Sequence, residues 1–166
     1  MKKILLLSDT HGHIDHRIIS YIKEVDEVWH AGDIGNLSVT KAIIKIKPLR
    51  AVYGNIDGQE ARLSFPEFQN FYCEKIAVLM THIGGKPGSY NQKVRNSLNK
   101  SFPKLFICGH SHILKVIQDK KYKHLHMNPG AAGVQGFHKV RTMLRFEINE
   151  DKIENLEAIE LGIRGL

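Results

Sequence analysis

The fold is decided by a pattern that first appears in residues 3–12, KILLLSDTHG, where an apolar run leads directly into Asp9 and His11. The chain repeats this arrangement four more times, each time placing a side chain that can bind a metal just after a strand-like segment. These segments end in Gly32-Asp33, Gly54-Asn55, Thr81-His82 and Gly109-His110-Ser111-His112. Because open α/β sheets place their chemistry at the carboxyl ends of strands, the repetition predicts one polar site built from several loops.

The candidate ligands are of types that suit divalent metals. Asp9 and His11 are separated by one residue, as are His110 and His112, so each pair faces one side of an extended chain. Taken singly, most of the seven residues have an ordinary explanation as a turn, helix-cap or surface side chain. Together they supply two carboxylates, one amide and four imidazoles. That set exceeds the needs of one ion and suits two ions that share a bridging carboxylate.

Apolar periodicity predicts a parallel α/β half followed by antiparallel strands. In the first half, strands at 3–7, 27–30 and 49–53 alternate with one helix from about Asp15 and another that Asn36 or Ser38 caps. In the second half, a helix at 90–100 accompanies strands at 68–73, 75–81, 105–108, 114–118, 123–127, 142–148 and 152–160. The fold class is therefore α/β, with two packed sheets and outer helices, in a single domain spanning 1–166.

Composition is that of an ordinary globular chain. The 166 residues are 42% hydrophobic and 25% charged, and no apolar run approaches the ~20 residues that span a bilayer. The apolar opening residues break at once into Ser8-Asp9, which indicates a first buried strand rather than a signal peptide. Cys73 and Cys108 form no CxxC pair, so a reducing, cytoplasmic setting fits best.

Positive charge is concentrated in the first part of the chain. Residues 147–166 hold six acidic and two basic residues, which leaves 22 basic and 11 acidic residues, a net +11, in the first 146. Such an excess attracts phosphate-bearing substrates and supports weak nucleic-acid contact. The chain lacks an arginine-rich cluster with interleaved aromatic residues, so most of these lysines are expected to form a solvated surface. Nucleic-acid binding is a secondary alternative.

In their order along the chain, the segments resemble the signature of the calcineurin-like metallophosphoesterases, and most closely the small bacterial and archaeal phosphodiesterases of that superfamily. The signature runs Asp-x-His, Gly-Asp, Gly-Asn-x-Asp/Glu, Thr-His-x-Gly and Gly-His-x-His, and every element is present here in that order. The resemblance covers nearly the whole chain, including Asn128-Pro129-Gly130.

The resemblance implies a four-layer metallophosphoesterase sandwich of two mixed β-sheets flanked by helices. It implies two metal sites that share Asp33 as a bridge: Asp9, His11, Asp33 and His112 would hold one ion, and Asp33, Asn55, His82 and His110 the other. Nitrogen and oxygen ligands without thiolate suit Mn²⁺, with Ni²⁺, Fe²⁺, Co²⁺ or Zn²⁺ as alternatives, better than magnesium. The expected reaction is hydrolysis of a small phosphate ester, most simply a diester, by in-line attack of a metal-bridging hydroxide.

The chain departs from the family pattern at positions that would touch the substrate. Ile56 stands where many members carry a histidine after the asparagine, so the general acid for the leaving group is unassigned. Ala131 follows Asn128-Pro129-Gly130 where relatives commonly have serine. His13 is a weak candidate for a phosphate contact. Asp57 is expected to be structural.

Two further functional interpretations compete with the hydrolase. The first is a non-catalytic protein-interaction scaffold of the same fold, as in the retromer subunit that resembles these enzymes. The second is a nucleic-acid-directed phosphodiesterase, which the positive charge favours. Specificity is expected to depend on the loops at 84–90 and 130–138. The apolar segments after residue 140 leave open a homo-oligomer formed by edge pairing, and no membrane association is predicted.

Overall fold

The computed structural model describes residues 1–165, which form twelve strands and four helices. The strands in chain order are β1 (Lys2–Leu7), β2 (Glu27–His30), β3 (Leu49–Ala51), β4 (Phe68–Cys73), β5 (Ile76–Thr81), β6 (Gly85–Lys86), β7 (Ser89–Tyr90), β8 (Leu105–Ile107), β9 (Leu114–Asp119), β10 (His124–Pro129), β11 (Val140–Asn149) and β12 (Lys152–Ile163). The helices are α1 (His16–Lys23), α2 (Leu37–Ile44), α3 (Gln59–Ser64) and α4 (Gln92–Ser101).

Ten of these strands form two five-stranded sheets. The first has the order β12-β11-β1-β2-β3, with β1, β2 and β3 parallel and β11 antiparallel to β1. The second has the order β4-β5-β8-β10-β9, in which β5, β8 and β10 run parallel and the two edge strands antiparallel. Both sheets are therefore mixed: the parallel strands lie in the middle of the second sheet and extend to the β3 edge of the first.

Successive side chains of a strand point to opposite faces of its sheet, so they pack against different layers. In β1, Ile4 and Leu6 face the second sheet, whereas Leu5 and Leu7 face α1 and α2, and all four are fully buried. A third apolar group, which includes Leu79 and Phe106, packs the outer face of the second sheet against α4. The order helix, sheet, sheet, helix confirms the predicted four-layer arrangement. No described helix is long and apolar enough to cross a membrane.

The helices begin where short polar side chains cap them. Asp15 accepts hydrogen bonds from the first-turn amides of α1, and Asn36 and Asn91 cap α2 and α4 in the same way. These caps satisfy amides that have no partner within the helix. The helix predicted at 90–100 begins at Gln92 in the structure, two residues later than predicted. Asn91 is its cap, and Tyr90 belongs to the β6–β7 hairpin.

The parallel strands of both sheets deliver their carboxyl ends to one edge of the sandwich, and backbone hydrogen bonds join the loops there. The amide of His11 donates to the carbonyl oxygen of Asp33 at 3.0 Å, which ties the loops after β1 and β2. The Gly109 amide donates to the His82 carbonyl oxygen at 2.9 Å, which ties the loops after β8 and β5. Six of the seven predicted ligands lie on these connected loops, and the seventh, Asn55, lies in the loop after β3.

Candidate metal centre

The predicted ligands form two neighbouring groups. In the first, Asp9, His11 and His112 place one ligand atom each within 4.8 Å of the others. Asp9 Oδ1 lies 3.1 Å from His112 Nε2 and 4.0 Å from His11 Nε2. The Asp9 side chain is fully buried, so its oxygens need polar partners inside the protein.

The second group consists of Asp33, His82 and His110, with one ligand atom of each again within 4.8 Å of the others. Asp33 Oδ2 lies 3.2 Å from His82 Nε2. Asn55 joins this group, because its Oδ1 lies 3.0 Å from His110 Nδ1. These four residues come from four different loops, two on each sheet.

Asp33 lies between the two groups. Its Oδ2 is 3.5 Å from His11 Nε2 of the first group and 3.2 Å from His82 Nε2 of the second. Its Oδ1 accepts a hydrogen bond from the Ile56 amide at 3.1 Å, which fixes the carboxylate plane. Burial opposes charge on this carboxyl, yet the His82 imidazole and the Ile56 amide hold its pKa below the ordinary value. Asp33 is therefore an ionised carboxylate at neutral pH.

Hydrogen bonds on the far side of two imidazoles set their tautomers. His82 Nδ1 donates to the carbonyl oxygen of Ala31 at 2.7 Å, which makes Nε2 the ring nitrogen that points into the site. His138 Nε2 donates to the Gly133 carbonyl oxygen at 2.9 Å, so its Nδ1 accepts from His112 Nδ1 at 3.1 Å. His112 thereby also directs its Nε2 into the site, 3.1 Å from Asp9 Oδ1. Such outer partners orient metal-binding histidines in proteins generally.

Three buried polar atoms of the site lack hydrogen-bond partners within residues 1–165, which is a further reason to expect a metal ion there. Asp9 Oδ1, His11 Nε2 and His82 Nε2 are buried and have no hydrogen-bond partner among the described residues. His11 Nε2 and His82 Nε2 both lie within 4.0 Å of Asp9 Oδ1. An unsatisfied buried polar atom costs about 1–3 kcal/mol, and a divalent cation would satisfy several of these at once. The donor set, oxygens and imidazole nitrogens, suits a transition-metal dication.

Backbone conformation sets these ligands apart from most other residues of the chain. Five of the seven adopt the left-handed region, with φ between 46° and 70°. They are Asp9, His11, Asp33, His110 and His112. Each such residue costs about 1–2 kcal/mol relative to an ordinary conformation, and strained residues of this kind cluster at functional sites. The strain is tolerated because neighbouring loops fix the backbone by hydrogen bonds.

Close approach between loops requires Gly54. A Cβ atom at this position would lie 2.1 Å from Asp33 Oδ1 and 2.3 Å from the Asp33 backbone nitrogen. Neither atom can move without displacing the carboxylate between the two groups. The glycine of the Gly54-Asn55 segment is therefore needed to bring Asn55 beside Asp33.

Other residues that the sequence singled out lie around the site. His13 hydrogen-bonds to Asp15 at 3.2 Å, at the cap of α1 rather than in either ligand group. Buried His30 bonds to the Thr10 hydroxyl at 2.9 Å. The Asn128 amide donates to the carbonyl oxygen of Gly109 at 3.0 Å, and so positions the loop of His110 and His112.

Residues near the second sheet behave as structural groups. The Tyr90 hydroxyl lies 2.9 Å from both His124 Nε2 and His126 Nδ1, and all three side chains are buried. Burial lowers the pKa of His126 to about 4, so it is neutral at physiological pH. Burial likewise raises the pKa of the Cys108 thiol to about 12, which excludes it as a nucleophile.

Sequence reasoning missed His138, which lies in a loop without periodicity. Its contact with His112 spans 26 positions, and no local pattern indicates it. It also missed the contacts of Arg62, whose Nε donates to the Asp57 carbonyl oxygen at 2.7 Å beside the Asn55 loop. The turn glycines Gly133 and Gly136 are the one local signal that the His138 segment folds back.

Two mixed sheets with carboxylate, amide and imidazole groups at their shared edge define a metal-dependent phosphoesterase fold. A family model described as the calcineurin-like phosphoesterase superfamily domain matches residues 1–151. The chain belongs to this superfamily, as its motifs predict, and the family is metal-dependent. A search of curated proteins finds no match.

Solved structures share the fold. An archaeal phosphodiesterase is 22% identical with a TM-score of 0.74, and the alignment covers 96% of this chain and 99% of that one. A predicted phosphoesterase from Streptococcus pneumoniae is 21% identical with a TM-score of 0.71, covering 96% and 89%. Vps29 from Entamoeba histolytica in complex with Zn²⁺ is 14% identical with a TM-score of 0.70, covering 95% and 98%. At these identities the likeness concerns the fold alone.

Proposed function

We propose that this protein is a binuclear metal-dependent phosphodiesterase, with residues 1–166 acting as one domain. The observation that carries the proposal is the meeting of the predicted ligands at one edge of the two sheets, with buried, unpartnered nitrogen and oxygen atoms. In the proposed assignment, one ion is held by Asp9, His11, Asp33 and His112. The other is held by Asp33, Asn55, His82 and His110. Mn²⁺ is the proposed metal, because the ligands mix oxygen and imidazole nitrogen without thiolate.

Two such ions would supply the Lewis acidity that makes water nucleophilic near neutral pH and offsets phosphate charge. The residues of the chain have separate tasks. Ionised Asp33 holds the two groups in a fixed relation, while outer hydrogen bonds direct Nε2 of His82 and Nε2 of His112 inward. Ile56 is exposed at the mouth and carries no proton to donate, so esters with good leaving groups should react fastest.

A diester is favoured over a monoester as substrate. The superfamily acts on phosphate esters, and one structure with the same fold is named as an archaeal phosphodiesterase. The chain also has the apolar, exposed Ile56 where a histidine could contact an additional phosphate oxygen. A diester, with one fewer charged oxygen than a monoester, depends less on such contacts.

The test combines metal content with turnover. We expect about two Mn²⁺ per chain and faster hydrolysis of bis(4-nitrophenyl) phosphate than of 4-nitrophenyl phosphate. Asp33→Ala should lose metal and reduce turnover by more than about 100-fold, because it removes the shared ligand. Asp151→Ala, in the exposed turn between β11 and β12, is the matched control. A metal-replete and active Asp33→Ala protein would refute the assignment.

A non-catalytic scaffold is the second candidate, and a specific observation favours it. Four apolar side chains, Ile56, Ile83, Ile113 and Phe137, are exposed around the mouth of the site, and exposed apolar groups that cluster often mark protein contacts. Structures of Vps29 also share the fold. Since one of them contains Zn²⁺, metal content does not separate the candidates. Absence of turnover with every divalent ion would favour the scaffold.

A cytoplasmic location is part of the proposal. Both cysteines are buried free thiols, and Cys73 and Cys108 form no disulfide, which suits a reducing compartment. Fractionation of the native host would test this location directly, since recovery in a secreted or periplasmic fraction would contradict it.

A further inference from the structure

A cleft of about 450 Å³ opens beside the candidate metal centre. Asn55 and His82, two ligands proposed for the second ion, line it. Its walls include Tyr53 and Phe68, so we call this space the aromatic cleft. Its volume lies within the range of small-molecule sites, which combine apolar walls with a few fixed polar groups. A phosphate bound at the metals would therefore have this space next to one of its ester oxygens.

The aromatic walls are held in place. The Tyr53 amide donates to the Pro66 carbonyl oxygen at 3.0 Å, and the Arg62 guanidinium lies 4.6 Å from the Tyr53 ring centroid. Arg62 is itself fixed, because its Nε donates to the Asp57 carbonyl oxygen at 2.7 Å. Phe68 packs against the apolar group beneath α4. Both rings are half-buried, so each combines a supported position with accessible surface.

Charge in the aromatic cleft comes from Arg62. The other cation of the lining, Lys93, forms an ion pair with Glu67 at 2.9 Å. Among the described residues, no carboxylate oxygen lies within 4.0 Å of an Arg62 nitrogen in an ion pair. A planar guanidinium next to aromatic walls favours a flat, electron-rich group, which gains from stacking and from the nearby positive charge.

We propose that the aromatic cleft binds an aromatic ring on one ester group of the substrate, which makes aryl or nucleoside phosphodiesters the preferred class. This inference rests on the proposed phosphodiesterase function and adds a substrate class to it. Tyr53 and Phe68 are the specificity-determining residues. The ring would extend outward from a phosphate held beside Asn55 and His82.

The test measures binding, so it does not depend on turnover. Isothermal titration of the Mn²⁺-loaded protein compares methylphosphonate with phenylphosphonate, which carry the same anionic head and are not hydrolysed as esters. We expect phenylphosphonate to bind about ten-fold more tightly. Tyr53→Leu and Phe68→Leu should each reduce that preference to about three-fold or less, whereas Tyr53→Phe, which keeps the ring, should preserve it. Tyr72→Leu, at an exposed position of the same strand as Phe68, is the matched control.

A third probe distinguishes the two sources of an aromatic ring. Uridine 5′-monophosphate carries its ring one ribose away from the phosphate. If it binds more tightly than phenylphosphonate, nucleoside esters are the preferred substrates; if it binds more weakly, aryl esters are. Equal affinity for methyl and phenyl probes, or an unchanged preference in both leucine variants, would overturn the inference.

Failure of the inference and failure of the proposed function give different results. Diester hydrolysis without a binding preference for phenylphosphonate would refute the proposed role of the aromatic cleft but would still support the proposed phosphodiesterase activity. The opposite result is a preference for phenylphosphonate that the leucine variants remove, with no hydrolysis of any ester. It would refute the proposed phosphodiesterase activity but would support a binding site for aromatic anions in the cleft.

Discussion

Replacement of Asp57 by asparagine should destabilise the protein and weaken its metal site together. The buried Asp57 carboxylate accepts three backbone hydrogen bonds: from Gly54 at 2.7 Å, Gly35 at 2.8 Å and Ile34 at 3.1 Å. Gly35 and Ile34 lie in the loop after β2, and Gly54 lies in the loop after β3. One side chain therefore clamps the loop of Asp33 to the loop that follows the next strand.

The size of the effect follows from these three contacts. A carboxylate offers two accepting oxygens, but the amide in Asp57→Asn offers one and turns an NH₂ group toward a backbone N–H. Hydrogen bonds to charged groups contribute about 1.5–3 kcal/mol and neutral ones about 0.5–1.5 kcal/mol. Loss of one bond and weakening of two, less the smaller desolvation of a neutral side chain, should reduce the free energy of unfolding by about 2–4 kcal/mol.

Urea unfolding of the metal-free protein measures that loss, and Mn²⁺ titration measures the effect on the site. Asp26→Asn is a suitable control, because exposed Asp26 accepts a hydrogen bond from the Lys3 amide at 2.8 Å and should change stability by less than about 1 kcal/mol. If Asp57→Asn unfolds at the wild-type urea concentration and binds Mn²⁺ equally well, the clamp has no energetic role.

Three further outcomes are expected. His138→Ala should weaken Mn²⁺ binding by about 10–100-fold, because it removes the acceptor that orients His112; wild-type affinity in a calorimetric titration would contradict this. Burial raises the pKa of the Asp15 carboxyl, but first-turn amides of α1 and Arg141 outweigh it and hold that pKa below the ordinary value. The stability from this ionised group is thus complete above the unfolded-state pKa of about 3.9 and is lost as the pH falls. Asp15→Asn should cost about 1.5–3 kcal/mol at pH 7 and progressively less as the pH falls below about 5; a pH-independent difference in urea unfolding would exclude the linkage. Buried Cys108, with its pKa raised to about 12, should react with a disulfide reagent at pH 8 after unfolding but not before, and rapid labelling of the native protein would disprove its burial.

Much of the fold was predictable because period-two burial is a local property. The strand Glu27–His30 is predicted with its observed bounds, and the alternation of Ile4 with Leu5 corresponds to the two faces of β1. The candidate site was predictable for a related reason. A ligand such as His82 follows its strand directly, so the carboxyl end of the strand fixes its place in the sandwich.

The parts that sequence reasoning missed depend on contacts between distant segments. Helix α3 has six residues, buries Ala61 and has no side-chain cap, so it carries no amphipathic period. The β6–β7 hairpin falls in a segment predicted to be a loop, because two-residue strands have no pattern to detect. The expected specificity loops at 84–90 and 130–138 omitted the aromatic cleft for the same reason, since Tyr53 follows a strand of one sheet and Phe68 begins a strand of the other.

The left-handed backbone at five ligands bears on how such a site disappears during evolution. Glycine adopts positive φ without a Cβ clash, so replacing His11 or Asp33 by glycine removes a ligand and relaxes the backbone at the same time. In a lineage no longer selected for catalysis, such ligands should therefore be lost easily. Most mutations reduce stability, but here the relief of backbone strain offsets that loss. An intact set of ligands in strained conformations is the expected mark of a lineage still under that selection. By this argument, a side chain other than glycine at each positive-φ ligand position is the feature expected to separate enzymes from scaffolds.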